Sequence, residues 1–347
     1  MKKSINTAIL GYGKSAKHFH IPLISASDEF KLVTILQGSK NDARLDFPEL
    51  DIAGNLDDIL CNPEIDFVIV GTPNHLHFEQ AERCLRAGKH VMVEKPFTIT
   101  TDEADRLIEI AEEVNRCLTV FQSKRWDSDY ITVKKLIESG KIGKLLEFEN
   151  NYPRFRQLYA HEVWKETSIP GAGVFYDLSP HLIDQALQLF GMPKSLYADI
   201  RRQRGGEAED WFEIHLYYDE LRVTLRAGMM VSDPLPSYVL RGDAGSFVKF
   251  HMDSQEEKLA AGEDPSAGDW GIEPESRYGT FYTMGEGGRK EEKIETMRGD
   301  YPGFYRELGK ALLQGTPPPV LAAEARDVMY IIEKSVESNI GKTAAVL

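Results

Sequence analysis

Ala8-Ile9-Leu10-Gly11-Tyr12-Gly13-Lys14-Ser15-Ala16 is a short apolar run that passes directly into G-x-G-x-x-A. The small residues carry the physics. Gly11 permits a tight strand-to-helix turn, Gly13 lets a pyrophosphate approach the backbone, and Ala16 lets the next helix pack closely on the sheet. A helix N-terminus beyond Lys14 adds unpaired N–H groups and partial positive charge for phosphates, and Tyr12 and Ser15 complete the loop. Ile5 to Leu10 is strand-like, Ser15 to Ser25 is helical in pattern, and Lys31 to Gln37 is a second apolar run. The motif therefore sits in a βαβ unit of the size a dinucleotide site requires. The alternative is a purely structural βα turn.

The end of the second strand discriminates between dinucleotides. An Asp or Glu there accepts hydrogen bonds from the ribose hydroxyls of NAD, whereas basic residues welcome an added phosphate. Here Gln37, Gly38, Ser39 and Lys40 follow the strand, with Arg44 shortly after. A hydroxyl and two cations occupy the ground a carboxylate would hold, which favours NADP. Two alternatives stay open: the cations are solvated loop residues, or Asp42 supplies the carboxylate in a longer loop and NAD is used.

A chain of 347 residues with 42% hydrophobic content exceeds the size of a single growing core, so two domains are expected, 1–123 and 124–347. The net charge of −14 repels nucleic acid and anionic membrane, and an anionic cofactor then depends on a local basic pocket. No apolar run is long enough to span a bilayer, and MKKSIN leads straight into the first strand, so a cytoplasmic protein is expected. Cys61, Cys84 and Cys117 lack metal-like spacing; they read as reduced core or boundary thiols, with neither disulfide nor structural metal.

Apolar runs at Phe67 to Gly71, His90 to Val93 and Leu118 to Phe121 read as buried parallel strands, separated by helical segments near Phe78 to Ala87 and Asp102 to Asn115. The fold class is α/β, with an N-terminal doubly wound parallel sheet. Beyond Gln122 the character changes. After a helix at Asp129 to Ser139, LLEFENNY, the hairpin DWFEIHLYYDELRVTLRAGMM and SYVLRGDAGSFVKF alternate as half-buried strands, flanked by helices at Leu178 to Phe190, Tyr305 to Leu313 and Ala322 to Asn339. That half is α+β with an open, mainly antiparallel sheet. Glu256 to Arg277, rich in Gly, Pro and acid, reads as a long surface excursion.

Two stretches carry candidate chemistry. His90 to Val93 ends in Glu94-Lys95-Pro96, placing a lysine at the carboxyl edge of a parallel sheet, where ligands of such folds bind. Its ammonium there can hold a substrate hydroxyl and stabilise the alkoxide that develops as hydride leaves the same carbon. In GAGVFYDLSPHLIDQAL, Asp177, His181 and Asp184 fall four and three apart and share one helix face, an arrangement that tunes an imidazole as a general base. The alternatives are a surface lysine, a capping aspartate and a satisfied histidine.

GYGKSA, TPNHLHFEQAERCLRAGKHVMVEKP and GAGVFYDLSPHLIDQALQLFG together resemble, in order and spacing, the glucose-fructose oxidoreductase and inositol dehydrogenase family (Gfo/Idh/MocA) over essentially the whole chain. Within it, AKHFHIP, RWDSDY and GDAGSFVKF resemble the NADP-dependent scyllo-inositol dehydrogenase group. The resemblance implies an N-terminal Rossmann domain, a C-terminal α+β domain with a large open sheet, and a homodimer or homotetramer formed through that sheet's exposed face. It makes Lys95 the catalytic lysine, His181 the proton acceptor and Asp177 its substrate-facing partner. Asp184 would stand behind them or bind a hydroxyl.

By the same resemblance Thr72, Pro73, Asn74 and His77 flank the cofactor's ribose and nicotinamide, with Glu94 counted among the cofactor residues and His77 alternatively a packing residue. Arg125 and Trp126 border the substrate or form a domain-boundary stack, while Tyr152, Arg154 and Arg156 add polar contacts. The implied activity is reversible hydride transfer between NADP and a ring carbinol of a cyclitol or sugar, without metal. Two rivals are an NADP-responsive regulator and a glycosidase that recycles hydride on a retained nicotinamide.

Overall fold

The structure is a computed structural model and describes residues 4–38, 40, 42–158 and 164–347. It divides into two compact units, one taking in the chain through Ser123 with Gln255–Trp270 and Asp300–Met329, the other Lys124–Ser254, Gly271–Gly299 and Tyr330–Leu347. The second unit is thus not the contiguous 124–347 expected from the change of pattern after Gln122. Helix Tyr301–Gln314 shows why: Tyr301, Phe304 and Tyr305 are at most 1% exposed, and Phe304 and Tyr305 pack edge-on or tilted against Phe121 at 5.0 and 6.2 Å. Apolar area of that size belongs to the core it fills.

In the first unit β1 (Ile5–Leu10), β2 (Phe30–Leu36), β3 (Asp51–Ala53), β4 (Phe67–Val70), β5 (His90–Val93) and β6 (Leu118–Val120) form one sheet in the order β3-β2-β1-β4-β5-β6. Every pairing is parallel. All four residues of β4 are fully buried, as a strand covered on both faces must be. The order reverses beside β1, where β2 lies on one side and β4 on the other, and a doubly wound sheet opens a ligand crevice at the carboxyl ends of such a pair. The chain passes there three times: Gly11 donates to Leu36, Gly71 to Leu10 and Glu94 to Val70, each at 3.0 Å. The helix read over Ser15 to Ser25 is continuous but not uniformly α, a π-helical turn Ala16–His20 running into the α-helix Ile21–Ser25; Pro22, near their junction, has no N–H to continue the α pattern. Helix Thr101–Glu113 starts on a capping box in which Thr100 and Glu103 satisfy each other's backbone N–H groups.

The second unit holds β7 (Leu145–Pro153), β8 (Ser195–Arg201), β9 (Trp211–Tyr217), β10 (Arg222–Gly228), β11 (Tyr238–Gly242), β12 (Ser246–Lys249), β13 (Gly279–Gly285), β14 (Gly288–Ile294) and β15 (Ala345–Val346), ordered β14-β13-β12-β11-β7-β10-β9-β8-β15. Only β7 and β10 pair in parallel among these strands. Phe212, Ile214 and Leu216 alternate inward and meet helix Gly173–Phe190, with Phe175 5.5 Å from Phe212 and Phe190 5.1 Å from Phe148. The opposite face carries cross-strand ion pairs, Glu213 with Arg226 and Glu147 with Arg222 and Arg241.

The segment Glu256 to Arg277 runs largely exposed, as its composition suggests, but it is anchored at a few buried residues. Helix Gln255–Ala260 opens it, Leu259, Trp270 and Glu273 are at most 4% exposed, and Gln255 Oε1 accepts from Trp270 Nε1 at 2.8 Å and from the Tyr301 N–H at 2.9 Å. One buried tryptophan anchors the Gly and acid around it. Cys84 is buried and Cys117 partly so, whereas Cys61 is exposed rather than a core thiol. No helix of the described residues is long and apolar enough to cross a membrane.

Candidate active site

Gly11 and Gly13 are glycines for different reasons. Gly11 has φ +94°, and a Cβ there would stand 3.0 Å from the Gly71 carbonyl, so the fold itself demands it. Gly13 has nothing within 4 Å of a built Cβ and no left-handed backbone. No packing within the protein explains its missing side chain; a backbone kept bare for a ligand does, and the turn fits a dinucleotide's pyrophosphate. We expect Gly13→Ala to leave the thermal midpoint within about 2 °C, since its Cβ meets nothing within 4 Å, yet to weaken binding of the nicotinamide dinucleotide at least ~tenfold in a fluorescence titration. Ala16 is fully buried, as close helix packing requires.

Around this turn Tyr12 donates to Asp46 Oδ2 at 2.6 Å, and Lys17 lies 3.6 Å from the same carboxylate and 4.3 Å from the Tyr12 ring centroid. Burial and Asp46 push the Tyr12 hydroxyl well above its usual range, so it stays a neutral donor. Lys14 is exposed and 3.7 Å from Glu256, a solvent-screened pair. Gln37 spends its side-chain oxygen on the Ala43 N–H at 2.9 Å, shaping the loop. Lys40 and Arg44 are exposed, with no ion pair recorded among the described residues; Ser39 lies outside those residues.

Glu94 is the hub of the carboxyl edge. It is 9% exposed; Ser15 Oγ donates to its Oε1, His20 Nε2 lies 3.0 Å from the same oxygen, and the Lys95 N–H donates to Oε2 at 3.0 Å. His20 Nδ1 in turn sits 2.8 Å from the Tyr305 hydroxyl. Burial alone would raise the Glu94 pKa, but His20, Ser15 and the Lys95 charge outweigh it and bring it down to about 2. An ionised carboxylate therefore ties the glycine turn to the strand that ends in Lys95. Lys95 itself is half-buried, and its bond to Pro96 is cis.

His77 is corrected by the structure. It is fully buried, with Nδ1 2.9 Å from the Pro96 carbonyl and Nε2 2.9 Å from the Thr72 carbonyl. Burial lowers its pKa despite those two acceptors. Both nitrogens face backbone carbonyls, one in the loop after β4 and one in the turn after β5, and a neutral imidazole donates to one of the two, so the buried ring fits the packing role better than cofactor contact. Thr72 Oγ1 donates to Gln80 at 2.7 Å, Pro73 precedes the 3-10 turn Asn74–Leu76, and Asn74 is buried.

In the second unit Gly173, φ +87°, lets the chain enter helix Gly173–Phe190 against Glu209, whose carbonyl would lie 3.1 Å from a Cβ. Asp177, half-buried, and His181, 8% exposed, are one helical turn apart. Asp184, 1% exposed, takes both Arg125 contacts, Nε to Oδ2 at 2.8 Å and Nη2 to Oδ1 at 2.6 Å. Its pairing with the guanidinium favours the supporting one of its two expected roles over hydroxyl binding, and Arg125 directs its fork at the same pair. Nearby, Gln185 accepts from Asn150 and the Tyr238 hydroxyl and donates to the Lys124 carbonyl, all at 2.8 Å, bracing the segment that carries Arg125 and half-buried Trp126. Arg154 lies 4.7 Å over the Tyr152 ring and donates to its hydroxyl at 3.1 Å, and Arg156 is exposed.

Three partners escaped the motif reading: His20, Tyr305 and Lys165, whose ammonium is 2.7 Å from Asp177 Oδ1. The cluster of histidines before Pro22 was the one available signal for His20; nothing local pointed to the others.

Residues 5–122 match the sequence profile of the oxidoreductase family with an NAD-binding Rossmann fold, and residues 130–248 that of the GFO/IDH/MocA C-terminal domain. The chain is 37% identical to the scyllo-inositol 2-dehydrogenase (NADP(+)) IolW of Bacillus subtilis (strain 168), covering 99% of this chain and 96% of that protein. It is also 37% identical to the uncharacterized oxidoreductase YdgJ of Escherichia coli (strain K12), covering 97% of each. The solved structure of the Bacillus subtilis protein yvaA superposes with a TM-score of 0.95 at 36% identity, over 100% of this chain and 99% of that one.

Proposed function

Since the chain belongs to the Gfo/Idh/MocA oxidoreductase family, we propose that it is an NADP-dependent dehydrogenase moving hydride between the cofactor and a secondary alcohol of a cyclitol or sugar. The observation that carries the reading is a lysine just beyond the carboxyl end of a parallel strand, next to an ionised, buried Glu94, in a chain that also sets Asp177 and His181 one turn apart on a helix. When bound, the nicotinamide supplies the hydride acceptor for oxidation and the donor for reduction. Lys95 hydrogen-bonds the reacting oxygen and stabilises its developing negative charge. His181 accepts the hydroxyl proton, Asp177 favouring the imidazolium that results. In reduction the same groups return the proton.

The Gly11 to Ala16 turn holds the pyrophosphate, and Lys40 and Arg44 favour the added phosphate of NADP on an otherwise acidic protein. The open, charged face of the nine-stranded sheet is the surface proposed for a homodimer or homotetramer. A panel of inositols and aldoses, each with both cofactors, tests the function through absorbance of the reduced nicotinamide. Net accumulation with at least ~tenfold NADP preference is expected; product without accumulation indicates the hydride-recycling glycosidase, and tight cofactor binding without turnover indicates a regulator. Replacing Lys40 and Arg44 together by alanine should raise KM for NADP roughly tenfold or more and leave NAD unchanged, because a charge-assisted hydrogen bond is worth ~1.5–3 kcal/mol.

A further inference from the structure

The Lys165–Asp177 ion pair spans twelve residues and stands half open, with the lysine side chain 43% and the aspartate 22% exposed. Neither end is walled off from a ligand. Apart from Asp177, the neighbour recorded for the Lys165 ammonium among the described residues is the Trp164 ring, 5.8 Å away. An ammonium carries three donors. With one directed at Asp177, the others are available to water or to hydroxyls that displace it.

The lysine's position is built in from behind. It sits in the 3-10 turn Trp164–Glu166, closed by Thr167, whose hydroxyl and N–H donate to the Trp164 carbonyl at 2.7 and 3.2 Å. Glu166 is held by Arg204 Nη1 at 3.4 Å, and the same nitrogen donates to the carbonyls of Arg156 and Leu158 at 3.3 and 3.4 Å. The Arg204 side chain is only 4% exposed and is anchored on buried Asp210 through Nε at 3.0 Å and the residue's own N–H at 2.9 Å. A buried guanidinium thus secures the turn that sets Lys165 against Asp177.

We infer that Lys165 is a substrate-binding residue, its ammonium and the Asp177 carboxylate together offering a donor and an acceptor to two adjacent hydroxyls of a cyclic polyol. The inference rests on the polyol reading above and deepens it. A side-by-side cation and carboxylate bind two neighbouring oxygens at once, and an analogue lacking one hydroxyl leaves a charged group unpaired, which is how a polar site discriminates.

The test uses full-length wild type, Lys165→Met and Lys165→Arg with the inositol or aldose of highest wild-type rate in the panel, and with the monodeoxy derivative lacking the hydroxyl next to the oxidised carbon. In Lys165→Met, KM for the parent polyol should rise roughly ten- to a hundredfold, with kcat changed less than ~threefold and NADP affinity unaltered. The calorimetric Kd of that polyol for NADP-loaded protein should move with KM, Lys165→Arg should recover part of the loss, and the deoxy substrate should lose less than ~threefold. An active wild type whose Met variant keeps its KM, or loses equally on both substrates, overturns the role of Lys165 alone. A wild type that turns over no polyol in the panel overturns the parent reading and this inference with it.

Discussion

Lys95→Ala is expected to lower kcat by ~10²–10³-fold while the Kd for the nicotinamide dinucleotide stays within about threefold, measured by steady-state turnover and by fluorescence titration of the nucleotide. The magnitude is that of removing one preorganised donor, the role proposed for Lys95, from an oxygen that gains charge in the transition state, an effect worth ~2.7–4 kcal/mol in comparable sites. Cofactor binding should be nearly spared because the residues proposed to hold the pyrophosphate are those of the Gly11 to Ala16 turn. Lys95 has a second electrostatic effect, its charge helping keep Glu94 ionised at a pKa near 2. His20 and Ser15 are larger contributors to that shift, so Glu94 stays a carboxylate in the variant and the turn it braces stays in place. Turnover close to wild type would take Lys95 out of the chemistry.

The largest expected loss of stability comes from Asp184→Ala. Arg125 and Asp184 are enclosed, with side chains 9% and 2% exposed, and deleting the carboxylate removes a charge that compensates a largely buried guanidinium. Breaking one side of such a pair costs ~3–5 kcal/mol, seen as a lower urea midpoint. Replacing both partners by hydrophobic residues of similar volume, Arg125→Met with Asp184→Leu, should restore most of that loss, because the pair's Coulomb gain barely exceeds the cost of desolvating two charges. A single Asp184→Ala variant as stable as wild type would mean that water reaches Arg125, contrary to its burial here.

Much of this protein is written locally. The period-two alternation of Phe212, Ile214 and Leu216, the unbroken apolar run of β4 and the glycine turn after Leu10 each announce their element within a few residues, because strand pleat and turn sterics act at that range. β3, β8, β13, β14 and β15 are not among the strands read from the pattern: β3 and β15 are three and two residues long, and β14, GRKEEKI, has no apolar alternation to read. Candidate residues stood out where a strand or helix supplied the register, as with Lys95 and the Asp177–His181 spacing.

What each polar group pairs with was invisible, since a charge in a sequence declares a need for a partner and not its identity. Arg125 finds Asp184 across 59 positions, His20 finds Tyr305 across 285, and His77 turns both nitrogens inward on carbonyls at Thr72 and Pro96. The same holds for helix Tyr301–Gln314 and for Trp270, distant in sequence yet buried in the first unit. Backbone propensity is a property of neighbours along the chain, whereas burial and pairing are properties of neighbours in space, and those exist only once the sheets have set their strand order.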